Sequence, residues 1–321
     1  MAQLATRTFG SSRFAVTTVG LGCNNFGRAG TATQSLDGTR AVLDRAIESG
    51  ITFLDTADIY GAHPGDSELL MGEALHGRRD EVIIATKFGH QQVDIEGTES
   101  WGMKGTASYV RNALDASLRR LQTDHVDLYQ MHMPDPYVPI GETLEALDEQ
   151  VKAGKVLHIG HSNFTPEQVA EAQQVAEDNG FTAFVSAQNN YSLVHREPED
   201  GLLEECEAAG LGFLPFYPLA NGLLTGKYTR SDRPSGTRLH DLKPELLDHV
   251  DWDQLEALQQ ICDDAGISML QGAIGWLLSR PVVTSVIAGA TKPEQVEQNA
   301  KAADVELSPE VVKAMDTLFP R

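Results

Sequence analysis

The chain has 321 residues, 41% hydrophobic and 22% charged, which suits a globular protein with a sizeable core and argues against disorder. Its 46 acidic against 25 basic residues give a formal net charge of −21, which argues against nucleic acid as a partner, since phosphate binding needs clustered Lys and Arg, and describes a heavily solvated surface. Cys23, Cys206 and Cys262 lie far apart with no CxxC, the N-terminal MAQLATRTFG lacks a basic and then apolar leader, and no apolar run reaches the ~18 residues of a membrane span; a cytoplasmic protein without a membrane partner is expected.

Two β-prone pieces, 6–9 and 13–16, flank Gly10-Ser11-Ser12 and predict a hairpin able to plug one end of a barrel. A short strand at 18–22 and a turn-rich loop at 23–33 follow. The next helix carries Ala41, Val42, Leu43, Ala46 and Ile47 at helical spacing and ends at Gly50. The alternation then repeats. Strands at 52–55, 82–87, 126–132, 156–162, 184–189 and 212–217 lead into helices at 67–76, 106–121, 140–153, 166–180, 199–209 and 252–265. A further helix at 268–279 precedes the eighth strand, 284–287, and its helix, 293–302.

Eight strand–helix units predict right-handed crossovers and a parallel sheet closed into a (β/α)8 TIM barrel of the α/β class. The expectation is one domain over 1–321, with an N-terminal β-hairpin plug and extra C-terminal helices. An open doubly wound sheet is the leading alternative, but the dinucleotide fingerprint G-x-G-x-x-G is missing. Gly20-Leu-Gly22-Cys-Asn-Asn-Phe-Gly27 brings its third glycine too late and opens a loop. Gly222-Leu-Leu-Thr-Gly226-Lys227-Tyr228 is one residue short of a P-loop and lacks its Ser or Thr. Two long connections, 88–105 and 219–250, leave the C-terminal ends of strands, the face on which barrel enzymes build sites. They are candidate pocket walls, although each taken singly reads equally well as a tolerated insertion.

If the barrel closes, polar residues ending the strands gather at one rim: Asp55, Lys87, His132, Ser162, Asn163, Gln188, Asn189, Tyr217 and Gly289. Lys87 ends the apolar run Val82-Ile-Ile-Ala-Thr and calls for a counter-ion, which Asp55 on the neighbouring strand can supply. Alone, Thr52 to Tyr60 reads more readily as a turn with a surface tyrosine. With Lys87 and His132 beside it, the same stretch becomes a proton-transfer site. An ammonium near Tyr60 is expected to lower its phenol from about 10, making it a general acid toward a carbonyl oxygen, with His132 donating to the same oxygen. A structural ion pair, a rim histidine and a packed aromatic are the alternatives for the same residues. His158 and His161, three apart on a strand, face opposite sides, so no metal is expected, and no G-x-S-x-G is present.

Taken together these residues resemble the aldo-keto reductase family along nearly the whole chain, from Val19 to Asn299. The motifs that carry the resemblance are FLDTADIYG, ATKFG, DHVDLYQMHMPDP, GKVLHIGHSNF, FYPLANGLLTGKY and VIAGATKPEQVEQNA, in that order. It implies a barrel that uses NADPH without a Rossmann motif and reduces aldehydes or ketones, small-molecule carbonyl substrates, by hydride transfer. Asp55, Tyr60, Lys87 and His132 match the family's catalytic tetrad, with Tyr60 as proton donor. Ser162, Asn163 and Gln188 match residues that hold the carboxamide, and Tyr217 the aromatic that stacks on nicotinamide. Pro218, Leu219, Gly222, Leu224, Gly226 and Lys227 match a pyrophosphate clamp that Arg238 is a candidate to close. Gly289, Thr291, Lys292, Gln295, Gln298 and Asn299 match the adenosine end.

The sequence departs from that pattern at Gln295, where many NADPH-preferring members carry arginine, leaving the 2′-phosphate to Lys292 and Thr291. An ammonium is a less directional phosphate partner than a guanidinium. NADPH preference with appreciable NADH use is therefore expected. The long loops and Trp101 are expected to shape the substrate pocket. The branch is also similar to potassium-channel β subunits and to bacterial general-stress-type reductases, so a cofactor-sensing partner protein is the alternative function; another barrel enzyme, an isomerase or aldolase, is a third.

Overall fold

The computed structural model describes residues 4–321; the first three residues of the segment read for a leader lie outside the described residues. Strands β1 (Thr6–Thr8) and β2 (Ala15–Thr17) pair antiparallel, Arg7 opposite Val16. There follow β3 (Val19–Gly22), α1 (Leu36–Glu48), β4 (Phe53–Asp55), α2 (Asp66–Ala74), β5 (Ile83–Phe88), α3 (Ala107–Leu121), β6 (Val126–Met131), α4 (Ile140–Lys152), β7 (Val156–Ser162) and α5 (Pro166–Asn179). The chain continues through β8 (Ser186–Asn190), α6 (Leu202–Ala208), β9 (Gly212–Phe216), α7 (Arg238–Leu242), α8 (Trp252–Asp264), α9 (Met269–Leu278), β10 (Val286–Gly289), α10 (Pro293–Ala302) and α11 (Pro309–Leu318).

The eight strands β3 to β10 form one parallel sheet in the order β10-β3-β4-β5-β6-β7-β8-β9. Closure runs through the segment just before β10. The Phe213 N–H donates to the Val282 carbonyl at 2.8 Å, and the Thr284 N–H donates to the Phe213 carbonyl at 2.9 Å. The eighth strand therefore begins later than its β-branched sequence predicts, because Thr284 is used in the seam. The result is the expected (β/α)8 barrel with its hairpin plug.

Side-chain alternation along the strands divides the core. Phe53, Ala85, Leu128, Leu214 and Ile287 form an interior cluster with Phe9 and Val16 of the hairpin, and the Phe9 ring meets Phe53 edge-on at 6.1 Å. Leu54, Ile84 and Tyr129, the alternate residues, join the larger cluster under the helices. Two residues beyond the interior layer, the same inward positions become Asp55, Lys87, Gln130 and Gln188, all buried. The barrel thus changes from an apolar plug to a polar floor along its axis.

Helix ends follow local chemistry. In α5, Thr165 and Gln168 form a capping box, Pro166 opens the helix and Gly180 ends it at φ 66°. The helix expected at 199–209 starts only at Leu202, because Glu197–Glu199 is a 3-10 turn and Gly201 turns the chain at φ 99°. The connection 219–250 holds 3-10 turns at Ala220–Thr225 and Pro244–His249 around α7, seated on a small core of Tyr228, Leu239 and Leu247. Helix α11 is capped by Ser308 and tied back by the Trp276 indole, which donates to Asp316 at 3.0 Å.

Candidate active site

The polar floor is organised around Lys87, whose side chain is 0% exposed. Its ammonium donates to Asp55 Oδ2 at 2.6 Å, to the Thr56 carbonyl at 2.9 Å and to the Tyr60 hydroxyl at 3.5 Å. Asp55 is held from its other oxygen by the amides of Gln188 at 2.8 Å and Gln130 at 3.2 Å. The loop after β4 is laid along β5 by the Thr56 and Asp58 N–H groups, which donate to the carbonyls of Ala85 at 2.9 Å and Lys87 at 3.1 Å. It turns at Gly61, φ 128°, where a Cβ would stand 2.4 Å from that of Asp66. This brings Tyr60 back over the ammonium.

Burial alone lowers the affinity of Lys87 for its proton, but Asp55 and Tyr60 outweigh it and leave the ammonium above its ordinary value. The Lys87 ammonium does pull the Tyr60 phenol down, but the expected net lowering is corrected. Burial pushes Tyr60 up to about 12, with Lys87 pulling the other way and Asp55 adding to the rise, so the phenol keeps its proton at neutral pH. His132 is pushed well below the usual histidine range, first by burial and then by Lys87 and His90. It is a neutral imidazole whose ring lies edge-on to Tyr60 at 5.8 Å and whose Nδ1 has no protein partner. Behind the loop, Asp58 is buried with Oδ1 unpartnered, and burial followed by the Glu68 charge raises its carboxyl to about 8.

Asp55, Tyr60, Lys87 and His132 are thus brought together. Ser162 and Asn163 close the neighbouring strand: the Ser162 hydroxyl donates to the Gln188 carbonyl at 2.6 Å, and the Asn163 amide donates to the His132 carbonyl at 2.9 Å. Gln188 turns its amide inward to Asp55 and Gln130. Gln130 is the residue that sequence reading passed over. Its signal was present, since it lies two residues beyond the inward Leu128.

After β9 the backbone takes left-handed values at Tyr217 (φ 52°), Ala220 (φ 46°), Asn221 (φ 58°), Gly222 (φ 97°) and Gly226 (φ 79°). The run closes on itself, the Ala220 N–H donating to the Tyr217 carbonyl at 2.9 Å and the Gly222 N–H to the Leu219 carbonyl at 2.8 Å. Pro218 and Leu219 enter the turn, Leu224 is buried beneath it, and a Cβ at Gly222 would meet the Lys227 ammonium at 2.9 Å. The Arg238 guanidinium lies over the Tyr217 ring at 5.3 Å with a buried, unpartnered Nε. A phosphate-bearing dinucleotide fits this donor set: cations without carboxylate partners and an aromatic platform. On the adjoining strand across the closure seam are Gly289 at the end of β10, Thr291 and Lys292 ahead of α10, and Gln295, Gln298 and Asn299 within it. Gln295 is turned back on its own helix start, its Oε1 accepting from the Thr291 N–H at 2.8 Å and hydroxyl at 3.2 Å.

Among the described residues, no three His, Cys, Asp or Glu side chains stand together as metal ligands, and no helix is long and apolar enough to cross a membrane.

A closed (β/α)8 barrel with a buried Asp–Lys pair under a tyrosine at the C-terminal ends of its strands places the chain among barrel enzymes that build their sites on that face. A family model described as the Aldo/keto reductase family matches residues 18–319, and the chain belongs to that family of oxidoreductases. It is 37% identical to the uncharacterized oxidoreductase YrpG of Bacillus subtilis (strain 168), over 87% of this chain and 86% of that protein. It is 34% identical to the L-glyceraldehyde 3-phosphate reductase of Escherichia coli (strain K12), over 94% and 88%. It is 32% identical to a probable voltage-gated potassium channel subunit beta of Oryza sativa subsp. japonica, over 87% and 86%.

Proposed function

We propose that the chain works as a single domain that reduces small aldehydes or ketones with NADPH, and with lower efficiency NADH, using Tyr60 as the general acid. The observation that carries this reading is the Lys87 ammonium, buried between Asp55 at 2.6 Å and the Tyr60 hydroxyl at 3.5 Å. Bound nicotinamide supplies the hydride. Tyr60, protonated at working pH, is the residue that would give its proton to the carbonyl oxygen, and the Lys87 ammonium would stabilise the phenolate left behind. Asp55 holds Lys87 in place, and the neutral His132 donates to the same oxygen and fixes the carbonyl.

Cofactor assignments rest on the resemblance together with the donor set. Tyr217 is the nicotinamide platform; Ser162, Asn163 and Gln188 border the carboxamide; Pro218 to Lys227 with Arg238 take the pyrophosphate; Gly289 to Asn299 take the adenosine. Gln295 supports the mixed cofactor use, because its side chain occupies the Thr291 donors that a 2′-phosphate needs.

Substitution Tyr60→Phe keeps the ring and deletes the proton. Cofactor binding is expected to persist while turnover of a panel of aromatic aldehydes, methylglyoxal, sugars and quinones falls by about 10²–10⁴. Retained turnover refutes the assignment.

A further inference from the structure

The loop 88–105 carries an imidazole that the proton-transfer scheme leaves unused. The His90 ring lies edge-on to His132 at 4.7 Å and 87°, and His132 in turn lies edge-on to Tyr60 at 5.8 Å. Tyr60, His132 and His90 therefore adjoin in series. Tyr60 is the member that reaches the ammonium of Lys87, and His90 is the outlying one.

His90 is fixed in direction and in proton. The Gln92 N–H donates to its Nδ1 at 3.3 Å, so the proton of the neutral ring sits on Nε2. Burial and then the Lys104 ammonium keep the ring below the usual histidine range, so it is neutral near pH 7. Its backbone is equally constrained. The Lys104 ammonium, with a side chain only 12% exposed, donates to the His90 and Val93 carbonyls at 2.7 Å each and to Asp94 at 3.1 Å. The Gly105 N–H ties the far end of the loop to Asp135 at 2.8 Å. Burying most of a lysine to satisfy two carbonyls of a long surface loop holds that loop in one shape. A half-buried imidazole needing only to pack has no use for this scaffold, whereas a donor aimed at a ligand does. Nε2 has no protein partner among the described residues.

We propose that His90 determines substrate specificity: its Nε2–H donates to a second oxygen on the carbon next to the reacting carbonyl, selecting α-hydroxy aldehydes and α-dicarbonyls over alkyl aldehydes. The proposal rests on the reductase reading above. The reacting oxygen belongs to Tyr60 and His132, and the ring beside them meets what the neighbouring carbon carries. A site built to hydrogen-bond a substrate oxygen disfavours the analogue lacking it, because a partly desolvated donor then loses that partner.

The test compares the parent with His90→Phe, which keeps a flat ring and loses the donor, and His90→Gln, which keeps a donor amide. The measurement is the ratio of kcat/KM for glyceraldehyde, and separately methylglyoxal, to that for propanal. Each ratio is expected to fall about tenfold in His90→Phe, a neutral hydrogen bond's worth, and to recover in large part in His90→Gln. An unmoved ratio, or one that falls equally in both variants, overturns the proposal. NADPH binding without substrate, followed by nucleotide fluorescence, is expected to match the parent; its loss in both variants marks His90 as a packing residue and also overturns it. A parent that binds NADPH but reduces none of the three carbonyls refutes the reductase reading instead.

Discussion

Lys87 and Tyr60 occupy a place where solvation and charge oppose each other. With its side chain 0% exposed, Lys87 stays charged because Asp55 stands at 2.6 Å and two amides hold Asp55 from behind. The Tyr60 phenol feels the same ammonium, but burial dominates and sets it at about 12. The consequence for pH has a definite sign. On the proposed mechanism the phenol below that value carries the proton that carbonyl reduction would consume, so kcat/KM for reduction is expected to be flat from about pH 6 to pH 9. Alcohol oxidation needs the phenolate, whose fraction grows about tenfold per pH unit over the same range, so its rate should climb with slope near one. A break near neutral pH in the reduction profile that vanishes in Tyr60→Phe would show the ammonium winning over burial.

Cofactor preference also belongs to single residues. On the proposed NADPH reading, with Gln295 closed on Thr291, the charge left for a 2′-phosphate is Lys292, an ammonium without the guanidinium's paired donors. Side-by-side kinetics are expected to favour NADPH over NADH by about tenfold, one to two kcal/mol of phosphate interaction. Equal efficiency or an NADH preference counts against Lys292 as the phosphate partner.

At the scale of elements, the hairpin β1–β2 is the floor on which the polar layer stands. Phe9, 0% exposed, packs on Phe53 at 6.1 Å, and Phe53 lies two residues before Asp55 on the same strand and face. Phe9→Ala is expected to cost about 3–5 kcal/mol, read as a lower denaturation midpoint with an unchanged slope. If Phe9 serves only as a plug, the remaining folded protein keeps the parent's Kd for NADPH. Elements with a two-residue or a helical period were legible in the sequence for a physical reason. The interior residues Phe53 and Asp55, or Ala85 and Lys87, alternate with residues facing the helices, and this period is written in side-chain type. What stayed hidden depends on contacts distant in sequence. The Thr284 seam needs Phe213 in place, α11 needs the Trp276 indole, and the order in 219–250 needs Tyr228, Leu239 and Leu247 to meet. The sign of the Tyr60 shift was hidden for the same reason, because burial is a property of the assembled rim. Gln130 and His90 were readable by position, yet only their distances to Asp55 and His132 mark them out.

The whole molecule carries a formal charge of −21, and its responses to salt should divide by depth. Exposed pairs such as Arg111–Glu149, with both side chains about half exposed, contribute little each and are screened. The acidic excess acts over the entire surface and opposes compaction, and it is screened over a Debye length of about 8 Å at physiological salt. Relief of that repulsion exceeds the loss of scattered surface pairs, so Tm is expected to rise by a few degrees between about 0.02 M and 0.3 M KCl. An equal osmolality of sucrose, which stabilises by exclusion and leaves charge unscreened, separates the two effects. The Lys87–Asp55 pair lies out of reach of salt, so the NADPH turnover of the folded enzyme should vary far less with KCl at saturating cofactor than at subsaturating cofactor, where an anionic ligand approaches an anionic protein. A Tm that falls with KCl while sucrose raises it would mean that the surface pairs, and not the net charge, govern the stability of this barrel.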